Sequence, residues 1–84
     1  MKEDARERSS KYVETTLDSL KRLKRKNIPG SVATAQVNRV LELVNGYVAD
    51  ASHYMDEKPI TSLACIAYAE GLLDALKYLD VIEF

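Results

Sequence analysis

His53 is the only histidine in the chain; Asp50 precedes it by three positions and Glu57 follows by four. On a helix these three share a face, which can supply metal ligands or an acid–base pair. The same spacing sets His53 opposite the apolar residues of its own segment, so a solvated surface is the plainer reading. Glu70 and Asp74 lie one helical turn apart, with Lys77 about one turn beyond. Facing solvent, they only solubilise an otherwise apolar helix. Covered by another helix, one carboxylate can accept from a backbone N–H or an arginine, with a shifted pKa. A small metal-binding or catalytic protein built on Asp50, His53, Glu57, Glu70 and Asp74 is therefore one reading. The paired Glu-x-x-His motifs of carboxylate di-metal bundles are missing, and no cofactor follows from these residues.

Lys21, Arg22, Lys24, Arg25 and Lys26 place five cations in six positions. They can hold the phosphates of a nucleic acid. They also point all round a helix end, with no aromatic interleaved to stack a base, so complementing the helix dipole is the simpler account. Cys65 is most simply a small core residue. As the sole cysteine it excludes an intrachain disulfide, and with no signal-peptide pattern it favours a reducing, cytosolic setting. On the side of the second helix away from its apolar arc lie Ala35, Glu42, Gly46, Ala49 and His53. A glycine in mid-helix costs about 1 kcal/mol relative to alanine. Gly46 therefore points to a bend or to close contact with another chain, with neutral drift as an equal alternative.

These residues must be positioned by few elements. Eighty-four residues make one domain, and 46% apolar with 30% charged residues is an ordinary globular composition. The net charge of −1 excludes a strong whole-molecule field for nucleic acid or anionic membrane. Its distribution is uneven: residues 1–26 carry +4, residues 27–58 carry −2 and residues 59–84 carry −3. A basic first helix beside two acidic ones suits an antiparallel bundle.

Apolar periodicity predicts three helices, over about 3–25, 32–57 and 59–80. The first buries Ala5, Tyr12, Val13, Leu17, Leu20 and Leu23; with only Ala5 before Tyr12, its opening turns are expected to fray or overhang. Asp4/Arg8, Glu7/Lys11 and Asp18/Arg22 support it as i, i+4 pairs. Asn27–Ser31, with Pro29 and Gly30, is a turn. The second helix buries Ala33, Val37, Val40, Leu41, Val44, Tyr47, Val48, Ala51, Tyr54 and Met55, its phase unbroken across Asn45-Gly46. A short turn near 56–58 forces antiparallel neighbours, and Pro59 suits the first position of the third helix. That helix has a bulky face (Cys65, Ala69, Leu72, Leu73, Leu76, Leu79) and a small one (Ala64, Ala67, Gly71, Ala75). The Glu70/Asp74/Lys77 stripe runs between them. The small face is expected to receive a neighbouring helix at close approach. Glu70, Asp74 and Lys77 interrupt the apolar run, so a membrane span is not expected. The five tyrosines fall at or beside core positions, and Val81–Phe84 is apolar enough to dock. The fold class is thus all-α: an up-down-up antiparallel three-helix bundle.

The run Lys58-Pro-Ile-Thr-Ser-Leu-Ala-Cys-Ile-Ala-Tyr-Ala-Glu-Gly-Leu-Leu-Asp-Ala-Leu-Lys77 resembles the C-terminal signature of a family of short archaeal proteins, catalogued as domain of unknown function 357. Tyr68, Ala69, Glu70, Gly71, Leu72, Leu73 and Asp74 carry most of the likeness, and Asp50–Glu57 resembles the family's lead-in. The resemblance implies a three-helix bundle, an archaeal cytosol and no catalytic residues. It also implies fusion to a nucleotidyltransferase-like domain, hence an accessory role. The leading reading is a non-catalytic module that self-associates or docks on a protein partner, with Gly46, Ala49, His53, Glu70 and Asp74 as candidate contacts. Nucleic-acid binding through residues 21–26 is the alternative, and no membrane partner is expected.

Overall fold

The computed structural model describes residues 4–26 and 34–84. The turn expected at Asn27–Ser31, together with Glu3, Val32 and Ala33, lies outside them. Three helices, α1 (Ala5–Arg22), α2 (Thr34–Tyr54) and α3 (Pro59–Tyr78), pack together. A two-residue antiparallel ribbon joins β1 (Lys24–Arg25) to β2 (Ile82–Glu83). The helices form a rod of 47 × 20 × 18 Å. α3 packs on both α2 and α1, which touch each other least.

Each end of α1 has a local cause. The Asp4 side chain accepts from the N–H groups of Arg6 and Glu7, satisfying donors that a helix start leaves unpaired. At the other end Leu23 turns to extended geometry, and the chain runs straight into β1. This corrects the expected continuation to residue 25: Lys24 and Arg25 pair with Glu83 and Ile82, a distant contact that no local propensity reports.

The overhang of α1 is shorter than the two or three turns predicted. Ser9, in its second turn, is fully buried. The Ser62 hydroxyl of α3 donates to the Ala51 carbonyl of α2. That uses its only proton, so the Ser9 hydroxyl must be the donor in the Ser9–Ser62 bond. One short polar chain thus ties all three helices at one end, and Arg6 adds an exposed ion pair to Asp56 at 2.6 Å. The inward face of α1 is Ser9, Val13 and Thr16, with Tyr12, Leu20 and Leu23 partly buried beside it. Leu17, expected in the core, is 44% exposed. Small hydroxyl residues let α1 come close to α3, and they occupy the middle of the expected face while Leu17 is left at its edge.

α2 runs unbroken through Asn45-Gly46 and buries Val37, Val44, Val48 and Ala51. Its helix ends at Tyr54, where the turn to Pro59 begins; Lys58 N–H donates to the Tyr54 carbonyl, and Pro59 occupies the first helical position as expected. Ser9 and Ser62 near the starts of α1 and α3 meet Ala51 near the end of α2. Those contacts are consistent with the up-down-up order.

α3 buries Ser62, Ile66, Ala69, Leu73 and Leu76. It stops in a left-handed residue that is not glycine: Asp80 has φ 63°. Asp80 N–H donates to the Lys77 carbonyl and Val81 N–H to the Leu76 carbonyl. This is a Schellman closure, in which the residue after the left-handed one packs against the last turn. The reversal delivers Val81 and Ile82 into the core, both almost completely buried, and β2 to β1. Lys26 N–H donates to the Val81 carbonyl, and Lys26 Nζ meets Asp80 at 2.5 Å. The hydrogen bond to Asp80 raises the Lys26 pKa above its ordinary value.

Candidate interaction face on the third helix

The chemistry-bearing residues do not converge. His53 is exposed on α2, its ring edge-on to Tyr54. Asp50 lines a shallow groove on the outer side of α2 with Gly46, whereas Glu70 and Asp74 line a separate crevice between α1 and α3 with Thr15, Thr16 and Ser19. Ala49 and Glu57 are exposed. Among the described residues no three His, Cys, Asp or Glu side chains gather to hold a metal ion. Cys65 is half-buried, and burial raises its thiol pKa, with Asp50 adding to the rise; a raised pKa keeps a thiol protonated and unreactive.

The basic segment is largely engaged within the chain. Arg22 pairs with Asp18, Arg25 binds the Asn38 side chain and the Thr34 carbonyl, and Lys26 pairs with Asp80. Lys21 lies in the last turn of α1 and Lys24 sits in β1 opposite Glu83. The five cations lie at the end of α1 and in and beside the ribbon.

The carboxylate stripe is divided by the packing. Asp74 is exposed, while Glu70 is half-buried against α1 and accepts from the Thr16 hydroxyl at 3.3 Å. Burial pushes the Glu70 carboxyl above its ordinary 4.5; the Thr16 hydrogen bond opposes this and the Asp74 charge adds to it. A carboxyl whose pKa is higher folded than unfolded costs stability once it ionises. Glu70→Gln keeps an acceptor for Thr16 and removes the charge. Its melting temperature is expected to match that of the parent well below pH 4.5, and to exceed it increasingly as pH rises through the Glu70 pKa towards neutrality. A mutant less stable at pH 7 would contradict this assignment.

The third face of α3 reverses the sequence-based expectation. Ala64, Ala67, Gly71 and Ala75 do not receive a helix; all four are exposed, on the side opposite Ile66, Ala69 and Leu73. A Cβ added at Gly71 would meet nothing within 4 Å. The large residues sharing this side are exposed as well: Ile60 is 77% exposed and Tyr78 is 89% exposed, with Tyr68 and Leu79 also open. Tyr78 and Leu79 thus leave the core positions expected for them. Tyr68 joins this face to α2 through Tyr47, the two ring centroids 4.6 Å apart. Two apolar sides make α3 the one helix, among the described residues, long and apolar enough by length and composition to cross a membrane. One of those sides is the bundle core.

The family described as "Protein of unknown function (DUF357)" matches residues 11–82. The chain belongs to this family. No curated protein and no solved structure matches it. The residues that carried the likeness split by side in this DUF357 bundle: Ala69 and Leu73 point into the core, Glu70 towards α1, and Tyr68 and Gly71 outward.

Gly46 resembles Gly71. It is exposed in the groove lined by Arg39, Glu42, Leu43, Tyr47 and Asp50, and a Cβ there would also meet nothing within 4 Å. Neither glycine is required by the packing of the DUF357 monomer. Gly46→Ala is therefore expected to stabilise it by about 1 kcal/mol. That corresponds to a rise of roughly 4–8 °C in a thermal melt of a domain this small; a fall would show that the position is closed.

Proposed function

We propose that this protein is a non-catalytic interaction module that docks on a protein surface, of its own kind or a partner's, through the outer side of α3. The observation supporting this reading is the exposure of Ile60, Tyr68, Tyr78 and Leu79 along one side of a helix whose opposite side already fills the core. A second apolar side on a helix that already fills a core is normally covered too, and an exposed apolar patch marks an interaction surface. The charged residues of α3, Glu70, Asp74 and Lys77, favour a protein over a bilayer, where each ionised group is expensive. A single cysteine, Cys65, fits a reducing cytosol.

The test uses Gly71→Glu, which puts a charge in the middle of the face with nothing inside the bundle to clash. In extract from the source cells, the parent chain is expected to migrate in a complex well above its 9.4 kDa. The folded variant is expected to migrate near that mass. Equal migration of the two would contradict the reading.

A further inference from the structure

Building on that reading, we infer that the occupant of the face is a second copy of this chain, its α3 antiparallel to the first across a two-fold axis beside Ala69. The exposed positions Ile60, Ala64, Ala67, Gly71, Ala75 and Tyr78 are spaced almost symmetrically about Ala69. Two-fold pairing requires a patch that is its own complement, and this one is. Antiparallel apposition sets Ala67 against Gly71 of the second copy, Ala64 against Ala75, and Ile60 against Tyr78. Helices that cross come closest in the middle and diverge towards their ends. Small residues at the crossing and large ones at both ends suit that shape.

α2 extends the match. Tyr47 stacks with Tyr68 one residue from the axis, so the two Tyr68 rings of a pair approach each other at its centre, each backed by a Tyr47. The adjacent Gly46 lies at the same level, the second helical glycine that the monomer's own packing leaves open.

The outer strip of α3 alone is about 30 Å by 10 Å. That falls short of the roughly 800 Å² per partner of a standard interface. Adding the Leu43–Tyr47 side of α2 brings it nearer that size. The expected dissociation constant is on the order of micromolar rather than nanomolar.

Sedimentation equilibrium of the purified full chain, from about 1 µM to 1 mM, is expected to show a monomer–dimer equilibrium. Gly71→Glu is expected to remain monomeric throughout, with an unchanged circular dichroism spectrum. Spin labels on Ile60→Cys, in a Cys65→Ser background, should lie about 27 Å apart along the paired helices, because Ile60 and Tyr78 are eighteen residues apart. Labels within about 10 Å would mean parallel helices and would overturn the arrangement.

A parent chain monomeric at 1 mM overturns self-association. If Gly71→Glu still releases a different protein from the complex in extract, the docking reading survives that result. If instead the parent but not the variant floats with phosphatidylcholine vesicles, both readings fall.

Discussion

A chain ending at Asp80 is expected to melt at least ~15 °C below the full-length protein, or to lose its cooperative transition altogether. The four residues removed form no helix, yet Val81 and Ile82 are among the most buried side chains in the molecule. Burial of each aliphatic contributes about 1.5–3 kcal/mol. The same cut removes the N–H of Val81 that closes α3, the carbonyl that Lys26 N–H binds, and the whole of β2. It also removes Phe84, which packs against the core with Lys77 Nζ 4.5 Å from its ring centre. A domain of this length has roughly 4–13 kcal/mol of total stability, so the loss is comparable to the whole. A melt shifted by less than about 5 °C would show that the last residues decorate the bundle rather than complete it.

Ser62→Leu is expected to be the most damaging single substitution, at about 3–5 kcal/mol. Two effects add. Ser62 is fully enclosed where α1, α2 and α3 meet, so a larger side chain must push helices apart. The Ser9 hydroxyl and the Ala51 carbonyl also lose the hydroxyl that lies between them. Two smaller changes separate these effects. Ser62→Ala leaves the Ser9 donor unpaired in a fully buried site, at about 1–3 kcal/mol. Ser9→Ala leaves Ser62 still donating to Ala51 and should cost less, about 1 kcal/mol. Chemical denaturation of all three variants gives the order. A Ser9→Ala cost above that of Ser62→Ala would reverse the assigned direction of the hydrogen-bond chain.

Most of the fold was legible in the residues. The 3.6-residue apolar period located three helices, and Pro59 marked the start of α3. The unbroken phase from Val37 to Ala51 outweighed the turn-like Asn45-Gly46 pair. Three things escaped that reading, each for a physical reason. Ser9, Thr16 and Ser62 are polar by type, but close helix approach and hydrogen bonding suit small hydroxyls, so the centre of the α1 face was missed and Leu17 was wrongly included. The end of α1 and the ribbon depend on pairing across more than fifty residues. The left-handed Asp80 lacks the glycine that usually marks such a stop, although aspartate tolerates that geometry better than most residues.

The candidate site was half legible. Periodicity placed Ala67, Gly71 and Ala75 on one side of α3 and drew attention to Gly46. It expected both apolar sides of α3 to be covered within the bundle. Periodicity reports that a side is apolar, not whether the chain supplies a helix to cover it, and here α1 and α2 both pack on the same broad side. Ile66, assigned to neither face from the sequence, proved to be at the centre of the core. Of the Glu70/Asp74 pair, Glu70 was drawn into the α1 contact and Asp74 stayed in solvent, a division that depends on where Thr16 lies.

Hydroxyl-radical footprinting inside living source cells tests the docking claim most directly, because it reads side-chain exposure without disturbing a complex. Tyr78, Ile60 and Tyr68 are expected to be oxidised markedly more slowly in the cell than in the dilute isolated chain, while Leu17, exposed on α1, changes little. Oxidation of Tyr78 and Ile60 in the cell at the rate of the isolated chain would mean that the outer side of α3 stays in water, and would contradict the account.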